Sequence, residues 1–170
     1  MISKSVIRDE LLQARLGLSR TELASKSSLI ARKLVDLVNW AEITSVHYYE
    51  PLARLNEIDV NPVVDFLVTS QPQIILYTSR KIDGQWQVVT RNGKQAQDVP
   101  EFDVIIIPML GFDENLHRIG YGGGYYDRFL ATQPTAQKIG ISLEQGKIDN
   151  LPVEPHDMAL DTIVTEQQVY

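Results

Sequence analysis

The chain has 170 residues, 44% of them apolar, and a formal net charge of −6, which suits one folded domain spanning residues 1–170. The acidic balance without a basic tract argues against nucleic acid as a partner, and the lack of cysteine excludes disulfides and thiolate catalysis. Neither an apolar signal segment nor a membrane-spanning apolar run occurs, so we expect a cytoplasmic protein with no membrane partner, as a monomer or weak homo-oligomer.

The first part of the chain is predicted to be largely helical. Three segments carry helical apolar spacing or helix-start signals: residues 3–18, 19–38 and 61–69. In the first helix, Lys4 and Arg8 are four residues apart, so both project from one face. Ser19 and Glu22 form a capping-box pattern, and Pro62 is placed in the first turn of the third helix.

Apolar and β-branched runs predict six strands: Ser45–Glu50, Ile74–Thr78, Gln85–Thr90, Val104–Ile107, Lys138–Ile141 and Asp161–Thr165. The continuously apolar run at 104–107 is typical of a central strand covered on both faces. A short helix is predicted from near Gly124 to before Pro134. Because helices and strands alternate, we predict an α/β, three-layer fold with a largely parallel central sheet flanked by helices.

A glycine-rich loop follows the predicted central strand. Residues 120–124 contain four of the ten glycines of the chain. Consecutive glycines can turn several backbone N–H groups toward one point, which favours oxyanion binding, and a helix beginning there adds partial positive charge. Arg118 can form two hydrogen bonds with a phosphate, and Asp127 is a hard oxygen ligand suited to Mg²⁺. The pattern therefore predicts a phosphate-binding loop.

Three other interpretations of the loop fit the residues less well. A plain turn needs fewer features than the combination of Arg118, the glycines and Asp127. A dinucleotide-binding loop requires G-x-G-x-x-G directly after its strand, a spacing that Gly120, Gly122 and Gly124 do not have. A Walker loop requires a Gly-Lys-Ser or Gly-Lys-Thr sequence, which does not follow. The fold is therefore predicted to be Rossmann-like without a standard dinucleotide loop, and the residues alone indicate a phosphate-binding loop of no standard type.

Residues 107–113, Ile-Pro-Met-Leu-Gly-Phe-Asp, and residues 118–128, Arg-Ile-Gly-Tyr-Gly-Gly-Gly-Tyr-Tyr-Asp-Arg, closely resemble the signature of the 5-formyltetrahydrofolate cyclo-ligase family. Further similar segments are Lys4-Ser5-Val6-Ile7-Arg8, Tyr49–Leu52 with Asn56–Asp59, and Pro155-His156-Asp157 with Asp161–Glu166. The resemblance implies ATP-dependent cyclisation of 5-formyltetrahydrofolate, with or without a polyglutamate tail, to 5,10-methenyltetrahydrofolate. ADP and phosphate are released, and Mg²⁺ is the cofactor.

The resemblance also implies a residue set for each ligand. The implied ATP-binding residues are Lys4, Ser5, Val6, Ile7, Arg8, Arg118, Ile119, Gly120, Tyr121, Gly122, Gly123, Gly124, Tyr125 and Tyr126. The implied folate-binding residues are Arg8, Leu52, Glu57, Tyr121, Gly122, Gly123, Gly124 and Tyr125. Catalytic roles are implied for Arg118 and Tyr125. Asp127 and Asp161 are the implied Mg²⁺ ligands, with Asp157 as a nearby alternative to Asp161.

Simpler roles stay open for several of these residues. Lys4 and Arg8 fit a solvated helix face, Glu57 fits an ordinary loop acid, and Tyr126 fits a core aromatic. His47 is assigned no role, because a lone histidine is more often structural than a ligand. Two other classes of protein also stay open: a folate- or nucleotide-binding relative without turnover, and an ATP-using enzyme that activates another amide-like substrate.

Overall fold

The computed structural model describes residues 3–154 and 157–170, so Pro155 and His156 of the family-like carboxyl-terminal motif lie outside the described residues. The helices are α1 (Lys4–Leu16), α2 (Arg20–Leu37), α3 (Asn61–Ser70) and α4 (Tyr125–Ala131). The strands are β1 (Ser45–His47), β2 (Ile75–Ile82), β3 (Gln85–Thr90), β4 (Val104–Pro108), β5 (Gly111–Phe112), β6 (Arg118–Ile119), β7 (Gln137–Ile141) and β8 (Thr162–Val164). No helix among the described residues combines the length and apolarity needed to cross a membrane.

Six strands form one sheet in the order β3-β2-β1-β4-β7-β8, and β5 pairs with β6 in a separate two-stranded ribbon. Every neighbouring pair in the large sheet is parallel except β2 and β3, which form an antiparallel hairpin at one edge. Asp83 and Gly84 make the hairpin turn with φ angles of 49° and 81°. The predicted largely parallel sheet is therefore confirmed, with the polar region after Ile82 at its edge.

Alternating residues of β4 place the sheet between two apolar layers. Ile106 packs in a cluster with residues of α2 and α3, whereas Ile105 and Ile107 pack on the opposite face with Phe129 and Leu130 of α4. All three isoleucines are fully buried, as expected for a strand covered on both faces. The predicted α/β fold with three layers is confirmed.

Helix α1 is held beside the ribbon by a third, smaller cluster. Ile7 packs there with Leu110, Ile119 and Leu151. The ribbon was not predicted, because each of its strands has two residues and its turn depends on one buried carboxylate. Asp113 accepts hydrogen bonds from the backbone N–H groups of Asn115 at 2.9 Å and His117 at 3.0 Å. This arrangement brings the amino-terminal helix next to the segment that contains the glycine-rich loop.

The strand order fixes where a ligand can bind. From β1, the chain first adds β2 on one side and later places β4 on the other side, so β1 and β4 are adjacent at a switch in chain direction. In open α/β sheets, ligands bind outside the carboxyl ends of the strands at such a point. Strand β1 ends at His47, earlier than the predicted Glu50, and Tyr49, Glu50 and Leu52 of the following segment line a cavity at this position.

Candidate active site

A cleft of about 690 Å³ lies beyond the carboxyl ends of β1 and β4. Its walls come from α1, from the loop after β1, from the β2–β3 hairpin and from residues 118–127. Elements far apart in the sequence therefore converge on one concave surface whose volume is typical of small-molecule sites.

Helix α1 contributes two cations to the cleft, Lys4 and Arg8, as their spacing predicts. Lys4 Nζ lies 2.5 Å from Asp157 Oδ2, and Arg8 Nε donates a hydrogen bond to the Gly120 carbonyl oxygen at 2.8 Å. Arg8 therefore ties the amino-terminal helix directly to the glycine-rich loop.

Three residues between these cations were also implied to bind ATP, but they are not among the described residues that line the cleft: Ser5, Val6 and Ile7. Ser5 and Val6 are exposed, and Ile7 is buried in the apolar cluster beneath the helix. Consecutive helical residues point in different directions, so one turn presents its first and last residues to the same ligand and the others elsewhere.

The glycine-rich loop lies against Arg8, with Gly120, Tyr121, Gly122, Gly123 and Gly124 all lining the cleft. Gly122 has a φ angle of +89°, and a Cβ atom built there would lie 3.0 Å from Arg8 Cζ. Both the backbone conformation and the close approach of the guanidinium therefore require glycine at position 122.

Arg118 is held in a fixed orientation at the base of the loop. Its side chain is only 6% exposed, Nη2 lies 2.5 Å from Asp127 Oδ1, and Nη1 donates to the Met158 carbonyl oxygen at 2.7 Å. Burial lowers the pKa of the guanidinium from its ordinary value, and the charge of Asp127 opposes that decrease. The group stays protonated at neutral pH, because arginine is not deprotonated in proteins.

The two aspartates implied to bind metal are not brought together. Asp127 lines the cleft, whereas Asp161 precedes β8, and its Oδ2 accepts a hydrogen bond from the backbone N–H of Lys138 at 2.7 Å. Lys138 belongs to the amino-terminal end of β7, and the cleft lies at the carboxyl ends of these parallel strands. Asp161 therefore lies at the end of the sheet away from the cleft. Asp157, which lines the cleft, is the better candidate for the second metal ligand.

A pre-formed metal site is not visible in the part of the chain that the structure describes: residues 3–154 and 157–170 contain no group of three or more His, Cys, Asp or Glu side chains suited to hold a metal ion. Mg²⁺ in phosphate-transfer sites is usually bound by one or two carboxylates together with substrate phosphates and water. Asp127 and Asp157, the two aspartates among the carboxylate residues that line the cleft, therefore fit an ion that arrives with a nucleotide.

The loop after β1 forms another part of the wall and contains two of the residues implied to contact folate, Leu52 and Glu57. Glu57 is 6% exposed, and its Oε2 accepts a hydrogen bond from the backbone N–H of Leu52 at 2.7 Å. Asn56, in the left-handed conformation, donates to the carbonyl oxygens of Arg15 at 3.3 Å and Leu18 at 3.2 Å, which fastens this loop to the carboxyl end of α1.

Arg15 supports the cleft from behind and was missed in the sequence. It is 2% exposed, donates to the Tyr121 hydroxyl at 2.7 Å and also to the Met109 carbonyl oxygen. The pKa of the Tyr121 hydroxyl is raised above its ordinary value, mainly by burial. The available signal was the position of Arg15, which follows Ile7 and Leu11 at intervals of four on the apolar face of α1.

The β2–β3 hairpin adds Ser79 and Trp86, which the sequence also did not identify. The Trp86 ring centroid lies 5.0 Å from that of Tyr125, which also stacks on Phe129 at 5.5 Å with an interplanar angle of 12°. The Tyr125 hydroxyl is hydrogen-bonded to Ser79 Oγ. An edge hairpin has no local pattern that reveals which helix it will contact.

The fold and the cleft define an α/β protein whose ligand site lies at the switch point of a parallel sheet, between a glycine-rich loop and a buried carboxylate. The chain belongs to the 5-formyltetrahydrofolate cyclo-ligase family, whose model matches residues 1–166. The resemblance found in the sequence is thus confirmed over nearly the whole chain.

Individual relatives agree with this assignment. The 5-formyltetrahydrofolate cyclo-ligase of Mycoplasma pneumoniae is 30% identical over 170 residues, covering 98% of this chain and 100% of the relative. The structure of a 5,10-methenyltetrahydrofolate synthetase from the same organism superimposes with a TM-score of 0.83 at 30% identity, covering 97% of this chain and 99% of the other. The Aquifex aeolicus 5,10-methenyltetrahydrofolate synthetase has a TM-score of 0.79 at 24% identity and covers 99% and 92% of the two chains, which supports the fold.

Proposed function

We propose that this protein catalyses the ATP-dependent cyclisation of 5-formyltetrahydrofolate to 5,10-methenyltetrahydrofolate in the cytoplasm, with release of ADP and phosphate. The observation that carries the proposal is the joining of two kinds of site in one cleft. Lys4, Arg8 and Arg118 line the cleft together with a glycine-rich loop suited to phosphates, and the buried carboxylate of Glu57 lines the same cleft. Membership of the cyclo-ligase family supports the same reaction.

The chemistry requires activation of the formyl oxygen, because the oxygen of an N-formyl group is a poor leaving group. That oxygen attacks the γ-phosphorus of ATP, an O–P bond forms, and the bond from the γ-phosphorus to the β-γ bridging oxygen breaks, releasing ADP. N10 of the same folate then attacks the activated carbon. The C–O bond breaks, phosphate departs, and N10 loses its proton. The task of the protein is to align the reactants, compensate charge and exclude water.

Arg118 is assigned to the transferred phosphoryl group. Its guanidinium is fixed by Asp127 and by the Met158 carbonyl oxygen, so it needs little reorganisation when charge develops. Lys4 and Arg8, from the same face of α1, are assigned to the ATP phosphates. Backbone N–H groups of the glycine-rich loop supply further donors without taking up space.

Glu57 is assigned to the pterin ring of the folate. A carboxylate accepts paired hydrogen bonds from an amino group and an adjacent ring N–H, and the burial of Glu57 makes such pairing necessary once the cleft is filled. Leu52 is 42% exposed at the rim of the cleft and offers apolar surface to the same ligand. The two substrates would then meet between this wall and Arg118.

Mg²⁺ is included in the proposal, with Asp127 and Asp157 as the residues that would hold it. When bound, the ion neutralises negative charge on the nucleotide phosphates. Asp127 keeps Arg118 in place through the same carboxylate, so the residue has a positioning task as well. Small-molecule substrates, with no nucleic acid or membrane, complete the proposed set of partners.

An absorbance assay tests the proposal directly. The purified full chain is mixed with Mg-ATP and 5-formyltetrahydrofolate, and the absorbance band of methenyltetrahydrofolate is followed while ADP is quantified. We expect product and ADP to form in equal amounts, and neither to form when the folate or the ATP is omitted. Tight folate binding without product would instead identify a binding protein, and ADP formation with other N-formyl compounds alone would identify a different ATP-using enzyme.

A further inference from the structure

His47 lies directly behind the cleft wall, at the carboxyl end of β1, and its exposed fraction is 0%. Its ring is surrounded by aromatic side chains, with the ring centroids of Phe129 at 4.7 Å and Phe102 at 5.4 Å. His47 Nε2 lies 2.8 Å from Ser79 Oγ, which is in turn hydrogen-bonded to the Tyr125 hydroxyl. These three side chains form a continuous line of hydrogen bonds from the core to the cleft.

The direction of these hydrogen bonds follows from the protonation of His47. Burial lowers the pKa of the imidazole to about 3, so the ring is neutral and carries one proton at neutral pH. Within residues 3–154 and 157–170, His47 Nδ1 has no hydrogen-bond partner. A buried N–H without an acceptor is less well tolerated than an unpaired acceptor, which places the proton on Nε2.

The Nε2 proton determines the roles of the next two hydroxyl groups. His47 Nε2–H donates to Ser79 Oγ, which leaves the Ser79 O–H available to donate to the Tyr125 oxygen. The Tyr125 O–H is then directed away from Ser79 and is available as a donor in the cleft, which both Ser79 and Tyr125 line. A donor is the group required next to a substrate oxygen that gains negative charge.

Packing restrains the position of the Tyr125 ring, so the main freedom left to this side chain is the rotation of its hydroxyl group. The ring packs against Trp86 at 5.0 Å and against Phe129 at 5.5 Å. Ser79 is held in β2, where it is paired with Val88 of β3. The remaining freedom is the torsion of the phenolic O–H, which the hydrogen bond from Ser79 restricts.

We propose that His47 and Ser79 are positioning residues that fix the Tyr125 hydroxyl as a hydrogen-bond donor to the substrate oxygen that carries negative charge during phosphoryl transfer. This inference rests on the proposed function and deepens it. A buried histidine with one unpaired nitrogen is costly in an aromatic environment, where a further apolar side chain would serve packing alone. The hydrogen bonds that connect His47 through Ser79 to the Tyr125 hydroxyl account for a buried polar side chain at this position.

Double-mutant kinetics test the inference. We expect Ser79→Ala and Tyr125→Phe each to lower kcat by about tenfold or more, with KM for ATP and 5-formyltetrahydrofolate changing less than about twofold. In the Tyr125→Phe background, Ser79→Ala should lower kcat no further, because its effect acts through the hydroxyl that is already missing. A residue needed only for stability would lower activity in both backgrounds.

His47 provides a matched pair of variants. His47→Phe removes the donor and should match the kcat of Ser79→Ala, whereas His47→Gln places an amide N–H near the position of Nε2 and should recover a large part of the loss. Thermal unfolding of each variant reports whether it is folded. If His47→Phe does not fold, the comparison of Ser79→Ala in the two backgrounds decides.

Two results would overturn this inference without affecting the proposed function. One is a wild-type kcat in Ser79→Ala, and the other is an equal loss of kcat from Ser79→Ala with and without the Tyr125 hydroxyl. Absence of methenyltetrahydrofolate formation by the wild-type protein is a different outcome. It would overturn the proposed function and, with it, the role of Ser79 and His47 in that reaction.

Discussion

Arg118 Nη2 lies 2.5 Å from Asp127 Oδ1, so the cation assigned to the phosphoryl group and the carboxylate assigned to Mg²⁺ form one ion pair at the base of the glycine-rich loop. The Arg118 side chain is largely buried, and removal of either partner leaves a poorly compensated charge in the cleft. The two residues nevertheless have different proposed tasks, and their variants should differ in kinetics.

Substitution Arg118→Ala should lower kcat by about a hundredfold to a thousandfold, the usual effect of removing one well-placed donor to a developing charge. The KM for 5-formyltetrahydrofolate should change less than about threefold. Steady-state absorbance kinetics measure both constants. Arg32→Ala, on the exposed surface of α2, is the matched loss of a cation and should behave as wild type. A raised KM for 5-formyltetrahydrofolate with unchanged kcat would show that Arg118 binds folate and does not act on the transferred phosphoryl group.

Substitution Asp127→Asn should raise the Mg²⁺ concentration needed for half-maximal activity by about tenfold, because the amide keeps the shape but loses the charge that attracts a hard cation. Asp161→Asn is the control, since its side chain is bonded to the Lys138 backbone at the other end of the sheet and should leave the Mg²⁺ requirement unchanged. Titration of activity with Mg²⁺ at fixed ATP provides the measurement. The reverse result, a shift only in Asp161→Asn, would restore Asp161 as the ligand.

Substitution Gly122→Ala should lower the free energy of unfolding by about 1–2 kcal/mol, because Gly122 has a left-handed φ angle and faces the Arg8 guanidinium. Gly123→Ala should change it much less. Its φ lies outside the left-handed region, and among the described residues no heavy atom lies within 4 Å of the added Cβ. Urea unfolding of both variants makes the comparison. Equal destabilisation would show that the conformation of Gly122 is not maintained in solution.

Local patterns were sufficient for much of the fold and part of the site. The capping box of Ser19 and Glu22 is present at the start of α2, and the spacing of Lys4 and Arg8 places both in the cleft. These features depend on neighbours within one helical turn, so sequence spacing determines them. The continuous apolar run of β4 is likewise sufficient to place it between two layers.

The remaining features depend on contacts between distant segments. His47, Ser79 and Tyr125 are separated by 32 and 46 residues in sequence, and no local period connects them. Asp161 is a different case, because the sequence contained the signal. It was predicted at the start of a strand, and the amino end of a parallel strand faces away from the usual ligand position. Resemblance to the family identified the acidic segment without deciding which of its two aspartates reaches the cleft.

The buried imidazole of His47 should make the protein less stable in mild acid. Its pKa is lowered by burial to about 3 in the folded chain, against an ordinary value of 6.5 in the unfolded chain. Between these values the unfolded state binds the extra proton, so the free energy of unfolding is at its full value above about pH 6.5 and falls as the pH decreases toward 3. From this histidine alone, the loss at pH 5 should be about 2 kcal/mol. Urea unfolding of wild type and His47→Gln at pH 7.5 and pH 5 isolates the contribution of His47 to the free energy of unfolding, because the other titrating groups are common to both proteins. We expect the wild type to lose about 2 kcal/mol more than the variant over this interval, and an equal loss in both would mean that the imidazole is accessible to protons in the folded state.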